Sequence, residues 1–157
     1  MRHNLKTLRE LIHRGIHLKP ENIDYDSLKN AIVSFDEAIH FAEPLEVKTI
    51  AFRVARAGVI QNFEFTYELC WKFLKRRLEA DFGKSIADGL SRKELFRLAN
   101  KHRLIENVDD WFAFHEARNE TSHTYDAGTA QIVYQESIRF IVFAKNLYNK
   151  LIINHES

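Results

Sequence analysis

The run from about Val47 to Phe82 contains no proline and carries apolar residues over a wide arc of a helical wheel. Phe52, Ala55, Val59, Phe63, Thr66, Cys70 and Phe73 fall on one stripe at three-and-four spacing, and Ile60, Tyr67, Trp71, Leu74 and Leu78 on a second beside it. A helix apolar on so many sides is stable in water only when neighbours cover most of it. The segment is therefore predicted to be the central helix of a packed set, with a bend allowed at Gly58 and a stop at Gly83, where a glycine can leave the helical conformation without a Cβ penalty.

The rest of the chain supplies the covering elements. A helix is expected to open at Asp24 or Asp26, to bury Leu28, Ile32, Phe35, Ile39 and Phe41, and to end near Pro44. Ser91-Arg92-Lys93-Glu94 has the spacing of a capping box, in which the serine hydroxyl and the glutamate carboxylate satisfy free amides, and predicts a short helix to about His102. Another begins near Asn107, where Asp109 and Asp110 suit the positive end of a helix dipole, and carries Val108, Trp111, Phe112 and Phe114. After Gly128 a long helix from about Thr129 to Ile153 sets Tyr134, Ile138, Ile141 and Tyr148 beside Val133, Phe140, Ala144, Leu147 and Leu151. No strand pattern competes. The expected fold is all-α, an antiparallel up-and-down bundle of four main helices plus short extra helices over residues 26–157. Residues 1–25 read as an N-terminal arm or short helix with Leu5, Leu8, Leu11 and Ile12 at helical spacing, closed by Pro20.

The totals narrow the function. With 157 residues and 45% apolar content, one domain with a real core is expected. Lys+Arg of 23 against Asp+Glu of 22 gives a formal charge of +1, so a nucleic-acid partner must be held by a local patch rather than by the overall field. Cys70 is the single cysteine, which excludes an internal disulfide and a cysteine-rich zinc cage. The first residues are charged and offer neither a signal peptide nor a membrane span, so a soluble, cytoplasmic protein is expected. No metal is expected. His13 and His17 have ligand spacing without further ligands, and His115-Glu116 begins like a zinc-protease helix but meets Asn119 where the second histidine belongs. Without a glycine-rich phosphate loop the chain is not expected to bind ATP itself.

The stretch Glu116 to Asp126 (EARNETSHTYD) is dense in ionisable and hydrogen-bonding groups between two apolar helices. On an unbroken helix at about 100° per residue, Arg118 and His123 point roughly 140° apart. For both to reach one phosphate, either the helix loosens or two subunits contribute. Asn119 lies one turn before His123 and can orient its imidazole, with Ser122 as a further supporting polar group. A guanidinium beside an imidazole suits phosphodiester cleavage without a metal: histidine moves a proton near neutral pH, and arginine holds a phosphate through paired donors. With RNA, the 2′-hydroxyl attacks and a 2′,3′-cyclic phosphate results. The competing reading has Arg118 and His123 at a helix C-terminus, where cations are favoured, and Asp126 capping the next helix. Glu64 and Glu68, one turn apart on the central helix, either face the same cleft, with Asp126, or pair with Arg53 or Lys72. The basic positions Lys72, Lys75 and Arg76 form an edge that RNA can use, with Trp71, Phe73 and Leu74 in the core.

The string Arg118-Asn119-Glu120-Thr121-Ser122-His123-Thr124-Tyr125-Asp126 resembles the Arg-x4-His-x-Tyr signature of HEPN toxins of the HepT type, and Gln61-Asn62-Phe63-Glu64-Phe65-Thr66-Tyr67-Glu68-Leu69-Cys70-Trp71-Lys72 is similar to the central-helix signature of the same subgroup. The resemblance they carry covers about residues 26 to 152. The resemblance implies a homodimeric helical bundle with two Arg–His pairs along a shared cleft for RNA, and an endoribonuclease activity carried by Arg118 and His123. It also implies a partner, a minimal nucleotidyltransferase antitoxin that uses ATP to place AMP on Tyr125. An alternative within the resemblance is a non-catalytic subunit that presents a substrate to that transferase.

Overall fold

The structure, a computed structural model, describes residues 22–153; the N-terminal amphipathic stretch, His13 and His17 lie outside the described residues. The described chain is all-helical: α1 (Asp26–Ala42), α2 (Ile50–Phe82), α3 (Arg92–Lys101), α4 (Val108–Glu120), a 3-10 turn (Thr121–His123) and α5 (Ala127–Ile153). Four main helices with one short addition form the antiparallel bundle that the periodicity predicts, with no strand among the described residues.

Local chemistry sets the boundaries. The central helix starts at Ile50 rather than Val47 because the Thr49 hydroxyl accepts the Phe52 amide at 3.1 Å, supplying a cap. It stops at Gly83, whose φ of 103° is costly for any residue with a Cβ. Both halves of the Ser91–Glu94 capping box form, at 3.2 Å and 2.7 Å. Asp126 caps α5 by accepting the Thr129 amide at 2.7 Å, so that helix begins two residues before the expected Thr129. At the far end, the buried Arg77 donates to the Leu151 carbonyl at 3.1 Å and ties the last turns of α2 and α5 together.

The core centres on Phe140 of α5, fully buried, which meets Phe35 of α1, Phe63 and Tyr67 of α2, and Trp111 and Phe114 of α4 at ring distances of 4.9 to 6.3 Å. One side chain thus fixes the mutual placement of all four main helices through edge and tilted ring contacts. Two expectations are corrected. Phe41 is 68% exposed, and Ala42 takes the buried position, because the α1 core series runs Leu28, Ile32, Phe35, Ile39, Ala42 and Phe41 falls about 200° from Ile39. Trp71 is half-buried at the margin, where it is covered by the Arg92 guanidinium 3.3 Å from its ring centre. No helix among the described residues is long and apolar enough to cross a membrane.

Candidate functional site at the end of α4

The hydroxyl-rich sequence after Arg118 explains how α4 ends. Thr121 donates to the Arg118 carbonyl at 2.8 Å, Ser122 to the Asn119 carbonyl at 3.3 Å, and Thr124 to the Thr121 carbonyl at 3.0 Å. Each hydroxyl takes a carbonyl that a continuing helix would give to an amide, and the backbone tightens into the 3-10 turn. Ser122 therefore serves the backbone of the turn.

Arg118 is gripped from three sides. Its Nε lies 3.2 Å from Glu68 and its Nη1 3.3 Å from Glu64, both on α2, while Nη1 also donates to the Thr121 hydroxyl at 2.9 Å. Of the two expected alternatives, Glu64 and Glu68 thus pair with Arg118, and among the described residues neither pairs with Arg53 or Lys72. The Glu68 carboxylate also accepts the Trp71 indole N–H at 2.8 Å, so the guanidinium rests on a chain of contacts that runs through Trp71 to Arg92. These side chains are about one-third exposed, which leaves the guanidinium reachable from solvent.

His123 and Tyr125 are presented, in contrast. Both are exposed, Tyr125 at 88%, and their rings meet edge to face at 6.2 Å. Among the described residues neither side chain has a hydrogen bond or ion pair. The Asn119 side chain lies beside Glu116, whose carboxyl is held below its ordinary range chiefly by Lys93, so it is not engaged with the imidazole. Asp126 serves as the cap of α5, and the Thr129 amide keeps its carboxyl below its ordinary range.

Two nearby features do not stand out in the sequence. Tyr67 and His115 share a 2.7 Å hydrogen bond beneath the site; burial pushes the tyrosine pKa up and, with Arg92 nearby, the histidine pKa down. A cavity of about 170 Å³ adjoins the signature, lined by Arg53, Arg56, Gln61, Glu64, Thr124 and Ala130 among others. The signal available for the first is the run Glu64, Tyr67, Glu68, Trp71, a polar-edged stripe at helical spacing on an otherwise covered helix. The larger cavity of about 360 Å³, lined by Leu104, Trp111, Phe143 and Lys150 among others, shares no residue with the signature.

Residues 23–152 match the family described as "Nucleotidyltransferase substrate binding protein like". Over 96 residues, 60% of this chain, the sequence is 38% identical to a Haemophilus influenzae protein named "Probable ribonuclease HepT", and the aligned stretch spans 66% of that protein's length. A solved structure from the same organism, HI0074, described as the fold of a substrate binding domain of a nucleotidyltransferase, shares 30% identity and superposes with a TM-score of 0.73, covering 82% of this chain and 98% of that one.

Proposed function

Because this chain belongs to the nucleotidyltransferase substrate-binding-protein-like family, we propose that it is a HEPN-type endoribonuclease toxin, silenced when a partner nucleotidyltransferase attaches AMP to Tyr125. The observation that carries this reading is the division of the signature: a guanidinium locked against α2 by Glu64, Glu68 and Thr121, followed at once by a turn that presents His123 and Tyr125 to solvent.

In the proposed reaction His123 accepts the proton of the RNA 2′-hydroxyl, the 2′-oxygen forms a bond to the adjacent phosphorus, and the bond to the 5′-oxygen breaks as that oxygen takes up a proton. The products are a 2′,3′-cyclic phosphate and a 5′-hydroxyl. Arg118 stabilises the charge that builds on the phosphoryl oxygens, exchanging part of its carboxylate contact for the phosphate. In the silencing step the Tyr125 hydroxyl attacks the α-phosphorus of ATP held by the partner, pyrophosphate leaves, and an anionic diester then stands beside His123. A homodimer fits the apolar face of α2, where Ile50, Val54 and Phe65 are 69%, 68% and 59% exposed; a second copy covering it would bring two signatures together.

The name of the relative "Probable ribonuclease HepT" supports cleavage. The description of HI0074 supports the rival reading, a non-catalytic adaptor for a transferase, and so does the engagement of Arg118 by two carboxylates. One experiment separates them. Purified protein incubated with single-stranded RNA and EDTA is expected to yield fragments with cyclic-phosphate ends, and His123→Ala is expected to abolish them. Intact RNA with the wild-type dimer, together with an AMP mass increment at Tyr125 after co-expression with the transferase, would leave the adaptor reading.

A further inference from the structure

We propose that the cavity bounded by Arg53 and Arg56 is a phosphodiester subsite next to the Arg118–His123 centre. The placement rests on two shared residues. Glu64 lines the cavity and grips Arg118 at 3.3 Å, and Thr124, which also lines it, is the residue between His123 and Tyr125. A group held there therefore touches the signature segment directly.

The charge at this point is unbalanced in favour of an anion. Arg53 is exposed, and its side chain has no ion pair or hydrogen bond among the described residues. Arg56 is held by neutral groups: Nη1 donates to Gln131 at 3.2 Å, and the guanidinium lies 5.8 Å from the Phe52 ring centre. Neither is answered by a carboxylate, and Glu64 is already occupied by Arg118. Among the residues that line the recess, Arg53 and Arg56 face the single carboxylate of Glu64, which is itself paired with Arg118, and a phosphate gains more from such a pair of guanidinium groups in a recess than on an open surface. The volume of about 170 Å³ far exceeds the roughly 15 Å³ that one water requires. Planar guanidinium forks match phosphoryl oxygens, and Gln61 adds an amide donor on the same rim.

A phosphodiester can arrive here in two ways: as the phosphate next to the scissile one in an RNA strand, or as the AMP linkage on Tyr125. The choice between them rests on the function proposed above, whereas the subsite rests on the cavity and its arginines. In the first arm, anisotropy of a labelled single-stranded RNA is measured on His123→Ala protein, with and without Arg53→Gln and Arg56→Gln. The double change is expected to weaken binding about tenfold, as loss of charge-assisted hydrogen bonds implies. It should also flatten the dependence of log affinity on log salt by about 0.7 for each phosphate that is no longer neutralised. Arg53→Gln alone, which breaks no bond within the folded chain, should give part of the effect with an unchanged melting midpoint. In the second arm, the ³¹P resonance of AMP-modified protein is compared with and without the same changes.

An effect confined to the first arm identifies RNA as the occupant, and one confined to the second identifies the tyrosyl diester. No effect in either arm, including a wild-type protein that binds no RNA and takes no AMP, overturns the subsite. Normal cleavage by an Arg53→Gln, Arg56→Gln protein with unaltered RNA affinity and an unmoved ³¹P resonance would overturn the subsite and leave the ribonuclease reading intact. Arginine-dependent RNA binding by a wild-type chain that never cleaves would do the reverse.

Discussion

Arg118 belongs to the last turn of α4 and His123 to the 3-10 turn that follows, and the bundle treats them in opposite ways. The arginine is clasped by two glutamates of α2 and a buried threonine, so its position is inherited from the packing of the two helices. The histidine, with Tyr125 behind it, projects from a turn stabilised by side-chain hydroxyls and by the cap of α5. Under the proposed function, the group that holds charge is built into the scaffold, and the groups that would exchange a proton or accept a new bond are left in reach of solvent. Changes to the held half should be felt first in stability, and changes to the presented half in chemistry alone.

The largest expected effect tests the scaffold under the held half. Phe140→Ala removes the ring on which all four main helices converge and should cost about 3–5 kcal/mol in urea unfolding, releasing α4 from α2. Glu68→Ala breaks the contacts to Arg118 and Trp71 together; because these groups are about one-third exposed, the loss should be about 1 kcal/mol, with cleavage reduced but not abolished, since Glu64 and Thr121 still hold the guanidinium. A smaller signature is expected from pH. The folded-state pKa of His115 is depressed below its ordinary 6.5, so the unfolded chain takes up a proton first and stability declines as pH falls through that value. His115→Gln should flatten this decline, and an unchanged pH profile would place the dependence elsewhere. Smallest of all, Tyr125→Phe should shift the melting midpoint negligibly, as the ring is 88% exposed, while eliminating any AMP increment on the intact protein.

What the sequence makes legible follows from the range of the interactions. The Gly83 stop, the Ser91–Glu94 box and, Trp71 apart, the α2 stripes are local patterns with local causes, and each is found where its spacing puts it. Phe41 misleads because an apolar residue next to the last buried turn looks like part of the stripe, although its angle turns it to solvent. The end of α4 is legible only as a dilemma: helical geometry forbids Arg118 and His123 from sharing a direction on one helix, and Thr121, Ser122 and Thr124 draw the backbone between them into a tighter turn that helical spacing does not foretell. The grip of Glu64 and Glu68 on Arg118, the Tyr67–His115 bond and the Arg53–Arg56 cavity depend on how α2 lies against α4 and α5. No spacing within one helix encodes that relation.

The most direct test sets cleavage and thermal stability side by side for Arg118→Ala and His123→Ala, with EDTA present throughout. His123→Ala should lose RNA cleavage by about 100-fold or more while its melting midpoint stays that of the wild type. Arg118→Ala should lose cleavage to a similar degree and also melt about 2–4 °C lower, the shift expected for about 1 kcal/mol in a chain of this size. A His123→Ala protein that cleaves as well as the wild type, or an Arg118→Ala protein that melts unchanged, would contradict the division of the signature into a held half and a presented half.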